Sequence, residues 1–189
     1  MRASALSLAG LAAAVLAQLA VPAYAIIRHE RVLRTGETFK FRMAPVDPYD
    51  AFRGRYIALR FEQHCAKLAP GAAVPAGEID VPVETGADGF AQLGVTGSAG
   101  ERQAYLRLRA RYPCPNVNGV EVELPFDRFY MKEDIAPLAE RLYRERANEA
   151  QRDAYATVRI GDGIGVIENV YVEGRPIGEV VREQRSKGQ

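Results

Sequence analysis

Tyr105-Leu106-Arg107-Leu108-Arg109-Ala110-Arg111-Tyr112 is the stretch that decides the fold class. Leu106, Leu108, Ala110 and Tyr112 fall on one side of a strand, and Arg107, Arg109 and Arg111 on the other. A period of two with one dry and one wet face is the mark of an antiparallel strand. The same alternation recurs upstream. Phe39, Phe41 and Met43 oppose Thr38, Lys40 and Arg42, and Ile57, Leu59 and Phe61 oppose Tyr56, Ala58 and Arg60. Strands are also expected at Ala156 to Ile160 and Val166 to Val172. The pairs Asp88-Gly89, Asn118-Gly119, Asp162-Gly163 and Glu173-Gly174 are turn signals between these runs. Ala66 to Gly77 and Thr96 to Gly100 read as loops.

One segment departs from the pattern. Asp134 can cap a helix that carries Ile135, Leu138, Ala139 and Leu142 at helical spacing. Pro137 falls in its first turn, where a missing donor is tolerated. Glu140 with Arg144, and Arg141 with Glu145, are i,i+4 pairs on its outer face. The helix should run to about Ala150. No internal repeat is evident. The expectation is a single α+β domain over residues 28–182, mainly antiparallel, with one substantial helix and a flexible polar tail over 183–189.

The chain has 189 residues, 48% of them apolar and 26% charged, which is the composition of a globular protein. The formal net charge of +1 provides no global basic field, so nucleic acid is not an expected partner. Residues 1–27 form a targeting segment. From Ala3 to Ile27 there is no charge, and about 20 apolar residues suffice to span a bilayer as a helix. Ala23-Tyr24-Ala25, with Pro22 upstream, is a candidate signal-peptidase site. The segment is therefore either a retained anchor or a leader cleaved near Ala25. The apolar run is longer than the core of an ordinary cleaved signal and continues through Ile26 and Ile27, which favours the anchor.

Cys65 and Cys114 lie beyond that segment. An even count in an exported domain suggests a disulfide, closing a loop of about 50 residues. Pro113 and Pro115 flank Cys114 and stiffen it. Two free thiols, or redox or metal work, are the alternatives. The spacing is not a zinc pattern, and no metal or cofactor is expected.

Pro45 to Phe61 carries the most specific local pattern. Asp47 can cap a single helical turn, Pro48 suits its first position, and Asp50 adds negative charge near the amide ends. Gly54 can end that turn in a left-handed conformation. A strand then leaves through Arg55. Pro45-Val46-Asp47-Pro48, followed by Arg53-Gly54-Arg55-Tyr56-Ile57-Ala58-Leu59-Arg60-Phe61, resembles the signature region of the GDYXXLXY proteins. The apolar start with Arg28-His29-Glu30, the run Phe129-Tyr130-Met131-Lys132-Glu133, and Ala156 through Gly174 are similar to the same family. Two signature positions differ: Arg55 stands where the family has Asp, and Phe61 where it has Tyr. Asp47, Pro48, Gly54, Tyr56 and Leu59 keep the pattern. The resemblance implies a bacterial membrane-anchored protein of unassigned activity. Its domain would lie on the periplasmic side of the inner membrane, or be soluble in the periplasm after cleavage.

The chemical inventory is thin. Beyond the leader the only serines are Ser98 and Ser186, and the only histidines are His29 and His64. Serine nucleophile chemistry needs a positioned base, and these residues are poorly placed to supply it. No catalytic residue is assigned. Asp47, Asp50 and Glu62 can gather near the signature turn, and paired carboxylates can run acid/base hydrolysis. Gly161-Asp162-Gly163-Ile164-Gly165 lacks the Lys and the following helix of a phosphate loop. The row Arg107, Arg109, Arg111 has two readings. It is a solvated face balanced by Glu121, Glu123 or Glu62, or an interface for anionic lipid or an acidic partner. The leading expectation is a non-enzymatic envelope protein that binds an inner-membrane protein or another envelope component. The alternative is an envelope hydrolase built on Asp47, Asp50 and Glu62.

Overall fold

The computed structural model describes residues 2–44, 56–97, 103–115, 117–131, 139 and 154–187. Helix α1 (Arg2–Thr35) leads directly into β1 (Glu37–Arg42). The strands that follow are β2 (Tyr56–Ala58), β3 (Cys65–Lys67), β4 (Gly77–Thr85), β5 (Ala91–Leu93), β6 (Tyr105–Pro113), β7 (Gly119–Glu123), β8 (Arg128–Tyr130), β9 (Tyr155–Gly161), β10 (Ile164–Val172) and β11 (Arg175–Pro176). Helix α2 (Ile177–Lys187) closes the described chain.

The strands form three antiparallel sheets. A four-stranded sheet runs β1-β9-β10-β11, a five-stranded sheet runs β3-β7-β6-β4-β5, and β2 pairs with β8 alone. The expected α+β, mainly antiparallel class is therefore what the chain adopts. The β9–β10 hairpin shows how directly the sequence writes it. Gly161 faces Ile164 across a two-residue loop. Asp162 and Gly163 have φ of 53° and 76°, the left-handed pair that a tight hairpin turn needs and that Asp-Gly adopts readily. Glu173-Gly174 closes the β10–β11 turn in the same way.

The dry faces of the two larger sheets share one core. The four-stranded sheet contributes Phe39, Phe41, Val158, Ile160 and Val170, and the five-stranded sheet contributes Val81, Val83, Leu106, Leu108, Val120 and Val122. Phe41, Phe61 and Phe126 meet edge to face at its centre, with centroids 5.3–5.8 Å apart. Gly165 makes this packing possible. A Cβ there would lie 2.5 Å from the Phe126 ring, so the sheet backbone must be bare for the ring to settle on it. The sheets are also joined at an edge, where the Arg107 amide donates to the Gly163 carbonyl at 2.9 Å.

Several expectations are corrected. Leu106 and Leu108 are buried as read, but Tyr112 is 67% exposed. The register of β6 against β7 shifts between Ala110 and Pro113, and the strict alternation ends there. The loop expected over Ala66 to Gly77 begins with β3, because Ala66 and Lys67 pair with Val120 and Gly119. Helix α2 extends through Lys187, into the segment read as a tail from Glu183, and Ile177, Val180 and Val181 ahead of that segment bury one side of the helix in the core. The helix expected over Asp134 to Ala150 lies outside the described residues, save for Ala139, which is helical and buried.

Helix α1 has two parts. Ala9–Thr35 is long and apolar enough to cross a membrane. Its apolar side chains Leu11, Leu16, Leu19, Val21, Ile26 and Ile27 are all exposed, as in a helix that meets lipid and not a protein core. Its last turns dock on the β9–β10 hairpin. Val32 is buried, Arg28 donates to the Asp162 carbonyl at 2.9 Å, and Arg159 donates to the Gly36 carbonyl at 3.1 Å.

Candidate functional site

The signature strand is held by a different neighbour at almost every step. Tyr56, Ile57 and Ala58 pair with Tyr130, Phe129 and Arg128. The Leu59 amide then donates to the Asp127 carbonyl at 2.8 Å. Phe61 bridges to Met43 at the end of β1, with the Ala44 amide on the Arg60 carbonyl. After that the Val122 amide donates to the His64 carbonyl, and Cys65 begins β3. This changing partnership follows from the sequence. Leu59 and Phe61 are drawn inward by burial while Arg60 stays in solvent, and the chain bends at Glu62 on its way to β3.

The bend leaves a groove of about 500 Å³ beside it. Buried Leu59 and Phe61 line it, together with Arg60, His64, Glu121 and Asp127. Arg60, His64 and Asp127 are exposed, so a polar rim of both signs surrounds apolar contacts. The His64 Nδ1 lies 2.8 Å from the Glu62 carbonyl, which can only accept, so Nδ1 donates and Nε2 is the ring's other polar atom. The groove thus sets an apolar floor beside polar groups of both signs. Glu62 is turned toward Arg42, 3.8 Å away.

Among the signature residues, the structure describes Leu59 fully and Tyr56 through its backbone pairing. Asp47, Pro48, Asp50 and Gly54 lie outside the described residues. Cys65 and Cys114 form a disulfide, with Cα atoms 6.3 Å apart. No group of three or more potential metal ligands occurs among the described residues.

The arginine row sits on the wet face of the five-stranded sheet. Arg107 grips Asp80 through two hydrogen bonds of 2.8 and 3.0 Å. That contact holds the Asp80 carboxyl below its usual range and raises the Arg107 guanidinium further. Arg109 stands in register between Glu78 and Glu123, and Arg111 pairs with Glu123. Charges of alternating sign across neighbouring strands support the reading of a solvated sheet face. Of the carboxylates expected to balance the row, Glu123 does so. Asp80 joins the row from β4, a strand that the sequence does not announce.

Most of the groove is not legible in the sequence. In the sequence Arg60 is only the polar partner in an alternation; His64 and Glu121 meet through the β3–β7 pairing, and Asp127 joins them through its contact with Leu59. No local signal could have joined them.

The sequence pattern of the GDYXXLXY proteins matches residues 18–170, which is most of the chain. The chain belongs to the GDYXXLXY family. The match runs from within the apolar helix into β10 and takes in the residues that line the groove. No curated protein and no solved structure matches this GDYXXLXY chain.

Proposed function

We propose that this GDYXXLXY protein is a non-enzymatic, membrane-anchored envelope protein whose groove beside the signature strand binds a segment of another inner-membrane protein or envelope component. The groove itself is the observation that carries this reading: buried Leu59 and Phe61 are flanked by Arg60, His64, Glu121 and Asp127. Two features support its setting. The last turns of α1 are fastened to the sheet through Arg28 and Arg159, so a retained anchor would hold the groove at a fixed attitude to the bilayer. The Cys65–Cys114 bridge suits an oxidising compartment, which supports a periplasmic domain. Glu62 facing Arg42 makes it a poor half of a hydrolytic carboxylate pair.

The test is affinity recovery of the tagged full chain from gently solubilised native membranes, with Arg60→Glu and Tyr56→Ala beside the unchanged protein. The expected result is a membrane partner recovered with the unchanged chain and with Arg111→Gln, and lost with Arg60→Glu while the far-UV spectrum stays the same. Equal recovery with Arg60→Glu would contradict the groove as the binding site.

A further inference from the structure

A second cleft, of about 410 Å³, lies where α1 meets the sheets. It is lined by His29 from the helix, Phe126, Arg128, Phe129 and Tyr130 from the segment around β8, and Val166 from β10. Its place along α1 is set by geometry. The uncharged run ends at Ile27, and a helix rises about 1.5 Å per residue, so His29 stands only about 3 Å beyond it. The polar headgroup layer adds roughly 5–8 Å on each side of a hydrocarbon core about 30 Å thick. His29, and the cleft that it lines, therefore fall within that layer.

The side chains suit what is found at that depth. Tyr24 on the helix and Tyr130 on the cleft are 68% and 66% exposed, and tyrosine concentrates where hydrocarbon meets headgroups. Arg28, Arg31 and Arg34 leave the membrane on successive turns of the helix and are exposed. Glu30 pairs with Arg34 at 2.9 Å, and Asp127 lies 3.5 Å from Arg128. His29 presents Nδ1 to the Ala25 carbonyl at 2.7 Å, an acceptor, so Nδ1 donates and Nε2 is the second polar atom of the ring. Aromatic walls with an arginine and an imidazole at the headgroup level match a glycerophospholipid, with its phosphate at the polar end and the first carbons of its chains against Phe126 and Phe129.

We infer that this cleft binds the phosphate headgroup of an anionic membrane phospholipid and fixes the tilt of the domain on the bilayer. The inference rests on the reading that α1 is retained in the membrane. Native mass spectrometry of the full chain, released from nanodiscs of phosphatidylcholine with a minority of phosphatidylglycerol, tests both. The chain should retain phosphatidylglycerol in preference to phosphatidylcholine. The double variant His29→Gln with Arg128→Gln should retain about fivefold less, and Arg111→Gln should retain as much as the unchanged chain. Soluble glycerol phosphate should not compete. Equal retention of the two lipids, an equal loss in Arg111→Gln, or displacement by glycerol phosphate would overturn the lipid site. The intact mass in the same spectrum reports the leader: a chain that starts after Ala25 would overturn the anchor reading itself.

Discussion

Phe41 and Arg42 are neighbours on β1, yet they enter two different aromatic clusters. Phe41 points into the sandwich and meets Phe61 and Phe126 edge to face in the buried core. Arg42 points out and lies over the Phe90 ring, 4.0 Å from its centroid. Beside it Phe90 meets Tyr155 edge-on, Tyr155 stacks on Tyr171 at 4.9 Å, and Lys40 approaches the Tyr155 ring at 5.6 Å. Both clusters are built of rings at similar spacing. The inner one removes whole side chains from water and welds three separated segments of the chain together. The outer one covers a sheet face that remains half wet. Ring geometry alone is therefore a poor guide to what holds this molecule together; the apolar area taken out of water decides it.

Mutations can break that contrast in order of size. Phe126→Ala removes the ring that bridges Gly165 and the Phe41–Phe61 pair. It should cost about 3–5 kcal/mol, read as a large fall in the denaturant midpoint. Next comes the disulfide. Replacing Cys65 and Cys114 together by Ser should cost roughly 3–4 kcal/mol on the loop-entropy account, without loss of the sheet signature in circular dichroism. On the outer face, Tyr155→Ala should cost only about 1–2 kcal/mol, since the ring it removes is only partly buried although it touches Phe90, Tyr171 and Lys40. A loss as large as that of Phe126→Ala would erase the distinction between the faces.

Titration sharpens the same contrast. Burial, followed by the neighbouring Tyr171, raises the Tyr155 phenol above its ordinary value. Its contribution to stability is present below the unfolded value and is lost as pH rises through the higher folded one. Absorbance titration should show a tyrosine in the unchanged protein that ionises later than free tyrosine, and that is absent in Tyr155→Phe. The smallest effect belongs to the paired charges. Asp80 is held below its usual range by the hydrogen bonds from Arg107. It stabilises the fold above the ordinary carboxylate value, and that contribution fades as pH falls through the lower folded value. Asp80→Asn should cost less than about 1 kcal/mol at neutral pH, because the pair is exposed, and should flatten the acid limb of the stability curve.

Much of this architecture is written in the sequence at short range. Alternation places Phe39, Phe41, Met43, Leu106 and Leu108 in the core, and the Asp162-Gly163 turn falls where its two-residue hairpin requires it. What escaped reading was governed by partners far along the chain. Gly77–Thr85 holds Pro82 and acidic residues that weaken its strand propensity, but Val81 and Val83 are buried where β4 pairs with β6 and β5. The second half of α2, from Glu183, reads as a polar tail because the apolar residues that seat the helix, Ile177, Val180 and Val181, all precede it. The groove was the least legible feature. Its floor belongs to the signature, which the sequence announced, while Glu121 and Asp127 reach it only through β7 and the turn before β8.

The central claim is that the groove beside the signature strand is where a partner binds. A photoreactive amino acid placed at Arg60 in the full chain, and activated in intact cells, tests it most directly. The account predicts a covalent adduct with a membrane protein or envelope component from position 60 and none from position 111. No adduct at position 60, or the same adducts from both positions, would contradict it.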